Sequence, residues 1–138
     1  MKDQLCPFCA IVRGTEPAHV IYEDDQIIAF LDARPINPGH TLVIPKQHVP
    51  DFYQLADALY GEVLLEAKHL AKVIAQVTQP TKVGLVIAGF DVPHTHVHVV
   101  PMHDYHDITS RAFADPDRIL PDETQLQAMA QRLRAEME

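Results

Sequence analysis

Three histidines alternate with other residues in one short run: His94, His96 and His98. Side chains of a β-strand point alternately to its two faces, so in a strand these imidazole rings would share one face, about 6.5–7 Å apart. An ordinary core strand would not place three polar rings side by side. The pattern suits a metal site, or a phosphate site in which one imidazole is the nucleophile and the others donate protons.

The two cysteines of the chain form a Cys-x-x-Cys pair, Cys6 and Cys9. A redox pair of this kind normally follows a strand and opens a helix, but five residues before Cys6 leave no room for a strand. A disulfide would close a very short loop and is disfavoured in a reducing compartment. The alternatives are half of a zinc site, completed by some of the nine histidines, and two free thiols.

Length and composition predict a folded domain that acts on a small ligand. The chain has 138 residues, 47% of them hydrophobic, which is enough for a proper core. Its net charge of −8 argues against a nucleic acid or an anionic membrane as the main partner. No apolar run reaches the ~18 residues of a membrane span, and the first residues lack the apolar core of a signal peptide. We therefore expect a cytoplasmic protein.

Periodicity and turn residues predict five strands and three helices. A short helix over Pro7–Arg13 should end at Gly14, and the two prolines and the glycine of segment 33–39 should form a loop. The predicted strands cover residues 19–23, 26–32, 40–45 and 82–88, and the histidine-rich run is the fifth. A last helix is expected over residues 122–137.

The strongest helix signal is an apolar stripe before Pro80. Its members step by four, four, three, four and three residues: Leu59, Val63, Ala67, Leu70, Ile74 and Val77. Because the connections within each run of strands are short, neighbouring strands should be antiparallel. The sequence thus predicts an α+β fold, with this long helix on one face of a five-stranded antiparallel sheet, a short N-terminal helix and a C-terminal helix.

Three segments together resemble the histidine triad (HIT) family, in its branch of small histidine triad nucleotide-binding proteins. The residues that carry the resemblance are the run His94-Thr95-His96-Val97-His98-Val99-Val100, the run Cys6-Pro7-Phe8-Cys9-Ala10-Ile11-Val12 with Pro17, and Ala29-Phe30-Leu31-Asp32 followed by Pro38-Gly39-His40-Thr41-Leu42-Val43-Ile44-Pro45-Lys46-Gln47-His48. The resemblance covers roughly residues 6–101. It implies a single HIT domain over residues 1–138, with a C-terminal loop and helix in 102–138.

The resemblance implies a nucleotidyl hydrolase or transferase that acts on the α-phosphate of a ribonucleotide derivative. His96 would be the nucleophile and would form a nucleotidyl-histidine intermediate that water resolves. The backbone carbonyl of His94 would accept a hydrogen bond from the far ring nitrogen of His96. His98 and His40 would contact the phosphate oxygens and neutralise the charge that develops there.

The same resemblance implies where a nucleotide and a metal would bind. Asp32 would accept hydrogen bonds from the ribose hydroxyls, although capping the end of its own strand is the alternative. An apolar slot for a purine base would be lined by Phe8, Ile11 and Leu31, each of which is also a plausible core residue. A structural Zn²⁺ would be held by Cys6, Cys9, His48 and His94. Family members usually pair as homodimers with a ten-stranded sheet, so the resemblance implies a homodimer here.

One loop departs from the family pattern. The family often has Gly-Gln-Ser or Gly-Gln-Thr before the triad, whereas this chain has Gly89-Phe90-Asp91. Asp91 would face the leaving group of a bound nucleotide, and it could donate a proton there only if its carboxyl were protonated.

Three alternatives to a phosphoramidate hydrolase therefore stay open. They are a dinucleoside polyphosphate hydrolase, a nucleotide-binding regulatory module with little or no turnover, and a metal-binding protein that uses the three histidines as one ligand set.

Overall fold

The computed structural model describes residues 5–109 and 117–137. Five strands form one antiparallel sheet in the spatial order β1-β2-β3-β5-β4. The strands are β1 (Val20–Glu23), β2 (Ile27–Leu31), β3 (Thr41–Pro45), β4 (Lys82–Val86) and β5 (Val97–Met102). The helices are α1 (Pro7–Arg13), α2 (Asp57–Thr78) and α3 (Glu123–Glu136). The predicted α+β fold is confirmed.

The central strands are covered on both faces, which explains why β2 and β3 are buried at every position. On one face, Ala29 and Leu31 of β2 pack with Leu70 and Ile74 of α2. On the other face, Ile28, Phe30, Leu42 and Ile44 form a second cluster, and residues of α1 pack against it. The two faces of β2 therefore serve two different layers, as the alternation of side chains along a strand requires.

Helix α2 buries the stripe that its periodicity predicts, with Val63, Ala67, Leu70 and Ile74 inside the core. It ends at Gln79, which adopts a left-handed conformation with a φ of 51° immediately before Pro80. Proline disfavours helical backbone in the residue before it, so the predicted stop is confirmed. Among the described residues, no helix is both long and apolar enough to cross a membrane.

Short capping motifs set the ends of the two outer helices. Helix α1 ends at Gly14, whose φ of 79° is a left-handed conformation that glycine adopts without strain. Helix α3 begins after Asp122, whose side chain accepts a hydrogen bond from Gln125 N. The C-terminal helix lies against the β1 edge of the sheet, where an Arg134 Nη1 donates to Val20 O at 2.8 Å.

The histidine-rich run is only partly a strand, contrary to the prediction. Strand β5 begins at Val97, so His98 lies within it while His94 and His96 lie in the segment that enters it. The backbone N–H and the hydroxyl of Thr95 both donate to Val49 O, each at 2.8 Å, instead of pairing with a neighbouring strand. Two short 3₁₀ helices that the sequence did not predict cover Phe52–Gln54 and Tyr105–Ile108.

Candidate active site

The three histidine rings follow one another along one side of the chain, although only one of them lies in a strand. The Phe8 ring contacts the His94 ring at 6.0 Å and the His96 ring at 5.0 Å between centroids. The His96 and His98 rings are also 5.0 Å apart. The Phe8 ring thus adjoins the first two histidine rings, and the His96 ring adjoins the third.

His96 is held in one orientation by the backbone. Its Nδ1 lies 2.7 Å from the carbonyl oxygen of His94, which can only accept a hydrogen bond. The proton of a neutral His96 ring is therefore on Nδ1, and Nε2 carries a lone pair. An imidazole nitrogen with a lone pair is a nucleophile near neutral pH.

His40 and His98 form a directional pair behind this nucleophile. The backbone N–H of Ile36 donates to His40 Nδ1 at 3.0 Å, so the ring proton of His40 is on Nε2. That Nε2 lies 2.9 Å from His98 Nδ1 and donates to it. The ring proton of His98 is consequently on its own Nε2, where it can be donated to a ligand.

Both rings of this pair are neutral at physiological pH. Burial lowers the pKa of His40 to about 4, although the nearby carboxylate of Asp32 opposes the shift and the Arg118 charge adds to it. Burial also lowers the pKa of His98 to about 4, with further lowering by the neighbouring His40 and His96 rings. As neutral rings, the two histidines would act on a phosphate through N–H dipoles.

His40 is enclosed by the protein. Only 1% of its surface is exposed, and its two ring nitrogens contact Ile36 N and His98 Nδ1. His98 is half-buried and is the more exposed ring of the two. His40 would therefore act on a phosphate through His98.

Asp32 stands beside this pair, at the end of β2. One carboxylate oxygen accepts from Arg34 N at 2.8 Å, which is the capping role weighed for it. The other oxygen lies 3.6 Å from His40 Nε2. Because the side chain is half-buried, this second oxygen is available to a hydroxyl group of a ligand.

The apolar residues predicted for a base slot do not all meet. Phe8 and Ile11 pack against the cluster that contains Phe30, and the Phe8 and Phe30 rings are 5.6 Å apart. Leu31 lies on the opposite face of β2, in the cluster that α2 covers. Leu31 is thus a core residue, and Phe30 takes its place beside Phe8. The period-two rule could have found Phe30, which lies two residues from Asp32 on the same face.

Asp91 lies in the loop between β4 and β5. Its side chain is exposed, and so is that of its neighbour Phe90, at 96%. None of the hydrogen bonds or ion pairs among the described residues involves the Asp91 carboxylate. The loop thus leaves this carboxylate in solvent in the absence of a ligand.

A second cluster brings the two cysteines together with two histidines. Ligand atoms of Cys6, Cys9, His48 and His94 all lie within 4.8 Å of one another. Helix α1 presents the cysteines, because Cys6 is its N-cap and Cys9 lies in its first turn. Neither cysteine forms a disulfide, and both are buried.

The geometry of this cluster fits a tetrahedral metal. The Nδ1 of His94 lies 3.5 Å from the sulfur of Cys6 and 3.5 Å from that of Cys9, and the Nδ1 of His48 lies 3.2 Å from the sulfur of Cys9. Tetrahedral zinc, with bonds of about 2.0 Å to nitrogen and 2.3 Å to sulfur, places such ligands about 3.5 Å apart. The Nε2 of His94 donates to Pro45 O at 2.8 Å, which leaves Nδ1 free of a proton.

The described residues form a further cluster of potential ligands, Asp32, His40 and His98, but its protons disfavour a metal. The hydrogen bond from Ile36 N keeps the His40 proton on the Nε2 that would have to bind the ion. Within the described part of the chain, no cluster of potential ligands contains His94, His96 and His98 together. The hypothesis of a metal bound by the three histidines as one set is thus not supported.

Comparison with known proteins identifies relatives of the same architecture. The family model for the HIT domain matches residues 13–105. An uncharacterized HIT-like protein of Borreliella burgdorferi is 37% identical over 103 residues, covering 70% of this chain and 74% of that protein. The protein named adenylylsulfatase HINT3 of Arabidopsis thaliana is 32% identical over 101 residues, covering 70% of this chain and 51% of that protein.

A solved structure extends the similarity to the whole fold. The crystal structure of a Zn-bound histidine triad family protein from Mycobacterium smegmatis superimposes with a TM-score of 0.79 at 29% identity. The match covers 99% of this chain and 95% of that one. Together with the match of the family model over residues 13–105, these similarities establish that the chain belongs to the HIT family.

Proposed function

We propose that the protein is a nucleotidyl hydrolase or transferase acting on the α-phosphate of a nucleoside 5′-monophosphate derivative. The Nε2 lone pair of His96 attacks phosphorus and forms a P–N bond. The bond to the leaving group breaks, and the leaving group departs with the electron pair and takes up a proton from the solvent, which regains one when water attacks in the next step. Water then cleaves the P–N bond, which releases the nucleoside monophosphate and restores the neutral ring.

The observation that carries this proposal is the 2.7 Å hydrogen bond from His96 Nδ1 to the carbonyl oxygen of His94. It fixes the tautomer in which Nε2 is the free nucleophile. When a bond forms at Nε2 the ring becomes positively charged, and the same carbonyl stabilises that charge through the Nδ1 proton. A histidine whose only role was packing would not need this arrangement.

His98 supports the proposal as a hydrogen-bond donor to the phosphate. Its Nε2–H is directed outward because its Nδ1 accepts from His40. A positioned donor of this kind strengthens its bond as negative charge builds on the phosphate oxygens. Such donors are typically worth about 2.7–4 kcal/mol of transition-state stabilisation.

The neighbouring groups favour a ribonucleotide with a purine base. The Asp32 carboxylate oxygen that faces His40 can accept hydrogen bonds from the ribose hydroxyls. The Phe8 and Phe30 rings and Ile11 offer an apolar surface for the base next to the His96 ring. The substrates we propose are nucleoside phosphoramidates, adenylates or dinucleoside polyphosphates, in keeping with the relative named adenylylsulfatase HINT3.

We further propose that Cys6, Cys9, His48 and His94 bind a structural zinc ion. The four protein ligands would fill a tetrahedral shell, so the ion would have no open position for a substrate. Zinc would tie α1 to the segment that carries His96. The chemistry of the reaction would remain with the histidine side chains.

A homodimer that joins two sheets into one of ten strands is also proposed. Strand β4 is an edge of the sheet, and its Leu85 side chain is 48% exposed. At the other edge strand, β1, the Arg134 side chain of α3 occupies the Val20 carbonyl oxygen. An uncovered edge readily pairs with another chain, so β4 of one copy would pair with β4 of the second. Sedimentation of the wild type and of a Leu85→Lys variant tests this assembly.

The second candidate is a nucleotide-binding module with little or no turnover. It is favoured by the exposed Asp91, since an ionised carboxylate near the leaving group would repel a phosphate. If the protein is instead an enzyme, Asp91 favours a cationic leaving group such as a protonated amine. An Asp91→Ser variant that ranks amine and neutral leaving groups as the wild type does would remove this role.

Turnover separates the two candidates. The wild type should release AMP from adenosine 5′-phosphoramidate, whereas His96→Asn should be slower by at least about a thousandfold. The matched control is His69→Asn on α2, a half-exposed histidine far along the chain from the triad. AMP release by His96→Asn at the wild-type rate would contradict the proposal, and tight AMP binding without any release would favour the binding module.

A further inference from the structure

A backbone amide determines which ring nitrogens of the His40–His98 pair carry protons. The N–H of Ile36 can only donate, and it lies 3.0 Å from His40 Nδ1. This places the ring proton of His40 on Nε2, which donates to His98 Nδ1 at 2.9 Å. The tautomers of both rings thus depend on the position of one peptide group in the β2–β3 loop, residues 32–40.

The direction of these two hydrogen bonds decides whether His98 presents a proton or a lone pair to a ligand. With the observed arrangement, His98 presents Nε2–H to a phosphate. If the Ile36 N–H moved away, the His40 proton could shift to Nδ1, and His98 would then donate from its Nδ1 and present a lone pair to the ligand. A lone pair repels an anionic oxygen. Because burial lowers the pKa of both rings to about 4, each ring carries one proton near neutral pH and has only these two choices.

The loop that carries the Ile36 N–H is tied to the sheet by the next residue. The side-chain Nδ2 of Asn37 donates to Pro101 O at 2.8 Å and to Asp107 Oδ2 at 3.1 Å. Pro101 lies in β5, three residues after His98. The carbonyl oxygen of Asn37 also accepts from His40 N at 3.1 Å. Asn37 therefore links the Ile36 peptide, the His40 backbone and the strand that bears His98.

The Asp107 carboxylate, which accepts a hydrogen bond from Asn37, is itself held by backbone amides. The Oδ2 of Asp107 accepts from His103 N at 2.7 Å and from Asp104 N at 3.2 Å, in addition to Asn37. The Asn37 amide nitrogen carries two protons, so it can donate one to Pro101 O and the other to this carboxylate. The two bonds of the Asn37 side chain are called the Asn37 clamp below.

We propose that Asn37 is a positioning residue for the reaction, holding the Ile36 N–H against His40 so that His98 presents Nε2–H to the substrate phosphate. The inference rests on the proposed nucleotidyl transfer, and it explains how the hydrogen-bond donor to the phosphate is positioned. Asn37 itself needs no contact with the substrate. Its role is exerted through the tautomers of two histidines.

The test compares Asn37→Ala with the wild type in two independent measurements. Long-range ¹H–¹⁵N spectra of protein labelled with ¹⁵N-histidine report which ring nitrogen of His40 and of His98 carries the proton. Single-turnover kinetics with adenosine 5′-phosphoramidate report the rate of transfer, and steady-state kinetics report the KM. The control is Gln76→Ala, which loses a side-chain amide bond to Glu136 and leaves both hydrogen bonds of the Asn37 side chain in place.

We expect Asn37→Ala to populate the second tautomer of His98 and to slow transfer by about ten- to a hundredfold, with a smaller change in KM. Gln76→Ala should leave both measurements at the wild-type values. If Asn37→Ala does not fold, Asp107→Ala takes its place, because it removes one of the two acceptors of the clamp. It should shift the His98 tautomer and the rate in the same direction, by a smaller amount.

Two results would overturn the inference. One is an unchanged rate in the clamp variants; the other is a slower rate with the His98 proton still entirely on Nε2, since that would be an ordinary structural effect. If the wild type itself turns over no substrate, the proposed function fails, and the spectra alone then decide the role of Asn37. A redistributed His98 proton in Asn37→Ala would support that role, and an unchanged one would refute it.

Discussion

The backbone carbonyl of His94 accepts the Nδ1 proton of His96 at 2.7 Å, while the ring of His94 faces the sulfur atoms of the two cysteines. One residue therefore connects the candidate nucleophile with the candidate metal centre. Its ring would be fixed by the metal through Nδ1 and by Pro45 O through Nε2. The orientation of the His94 peptide, and with it the tautomer of His96, should depend on the metal.

The first prediction concerns zinc. The protein as isolated should contain about one zinc ion per chain, and Cys9→Ser should lose most of it. Because the ion would anchor both α1 and His94, the variant should have a lower Tm and a slower transfer from adenosine 5′-phosphoramidate. Metal analysis, thermal unfolding and kinetics on the same preparation measure the three effects.

The control for this prediction separates metal binding from loss of a thiol. His48→Ala removes a ligand on a different segment, so it should reproduce the losses seen in Cys9→Ser. A zinc-free protein with the stability and the rate of the wild type would show that the cluster has no structural role.

The second prediction concerns acid. The pKa of His40 is about 4 in the folded protein and about 6.5 in the unfolded chain, so the unfolded chain binds more protons between these values. The part of the folding stability that depends on a neutral His40 is therefore fully present above pH 6.5 and is lost as the pH falls toward 4. The His40 contribution to this loss between about pH 7 and pH 5 is about 2 kcal/mol.

His40→Gln is the matched variant, because a glutamine amide can accept from Ile36 N and donate to His98 without titrating. Its free energy of unfolding, measured with urea at both pH values, should fall less on acidification than that of the wild type. Identical pH dependence in the two proteins would mean that His40 is not the buried neutral ring described here.

The third prediction uses two neighbours on opposite faces of β2. Phe30→Leu should weaken nucleotide binding by a factor of about two to ten, since it removes an aromatic ring beside Phe8. Leu31→Val should lower stability and leave the affinity unchanged, because Leu31 packs under α2. Calorimetric titration with AMP and urea unfolding of both variants check this, and equal effects on affinity would refute the assignment of the faces.

The fourth prediction concerns the sugar. Asp32→Asn should reduce the preference for a ribonucleotide over its 2′-deoxy analogue, because a charged acceptor of the hydroxyl hydrogen bonds is lost. The preference should fall by about 1.5–3 kcal/mol, the usual worth of hydrogen bonds to a charged group. Inhibition constants for AMP and 2′-deoxy-AMP measure it, and an undiminished preference in the variant would exclude Asp32 as the ribose contact.

The sequence predicted the architecture well because its strongest patterns are local. The α2 stripe and the stop before Pro80, the alternating strands and the glycine after α1 each reflect backbone or packing rules that act within a few residues. The predicted start of β5 was wrong because Thr95 donates hydrogen bonds to Val49, which is 46 residues away. No local pattern reports such a contact.

The candidate site was predictable in its membership and less so in its geometry. The histidines and cysteines stood out by type and spacing, but spacing does not say which ring nitrogen carries a proton. The neutral His40–His98 pair depends on burial and on the Ile36 N–H, which only the folded loop brings to His40. The side of β2 that faces Phe8 depends likewise on where α1 packs.

The most direct test of the proposed mechanism is the mass of the protein during turnover. Intact wild-type protein, mixed with adenosine 5′-phosphoramidate and quenched rapidly in cold acid or alkali, should gain the mass of one adenylyl group, and His96→Ala should gain none. Peptide mapping should place the group on His96. Nucleotide binding without any adduct, or an adduct that persists in His96→Ala, would contradict covalent transfer through this histidine.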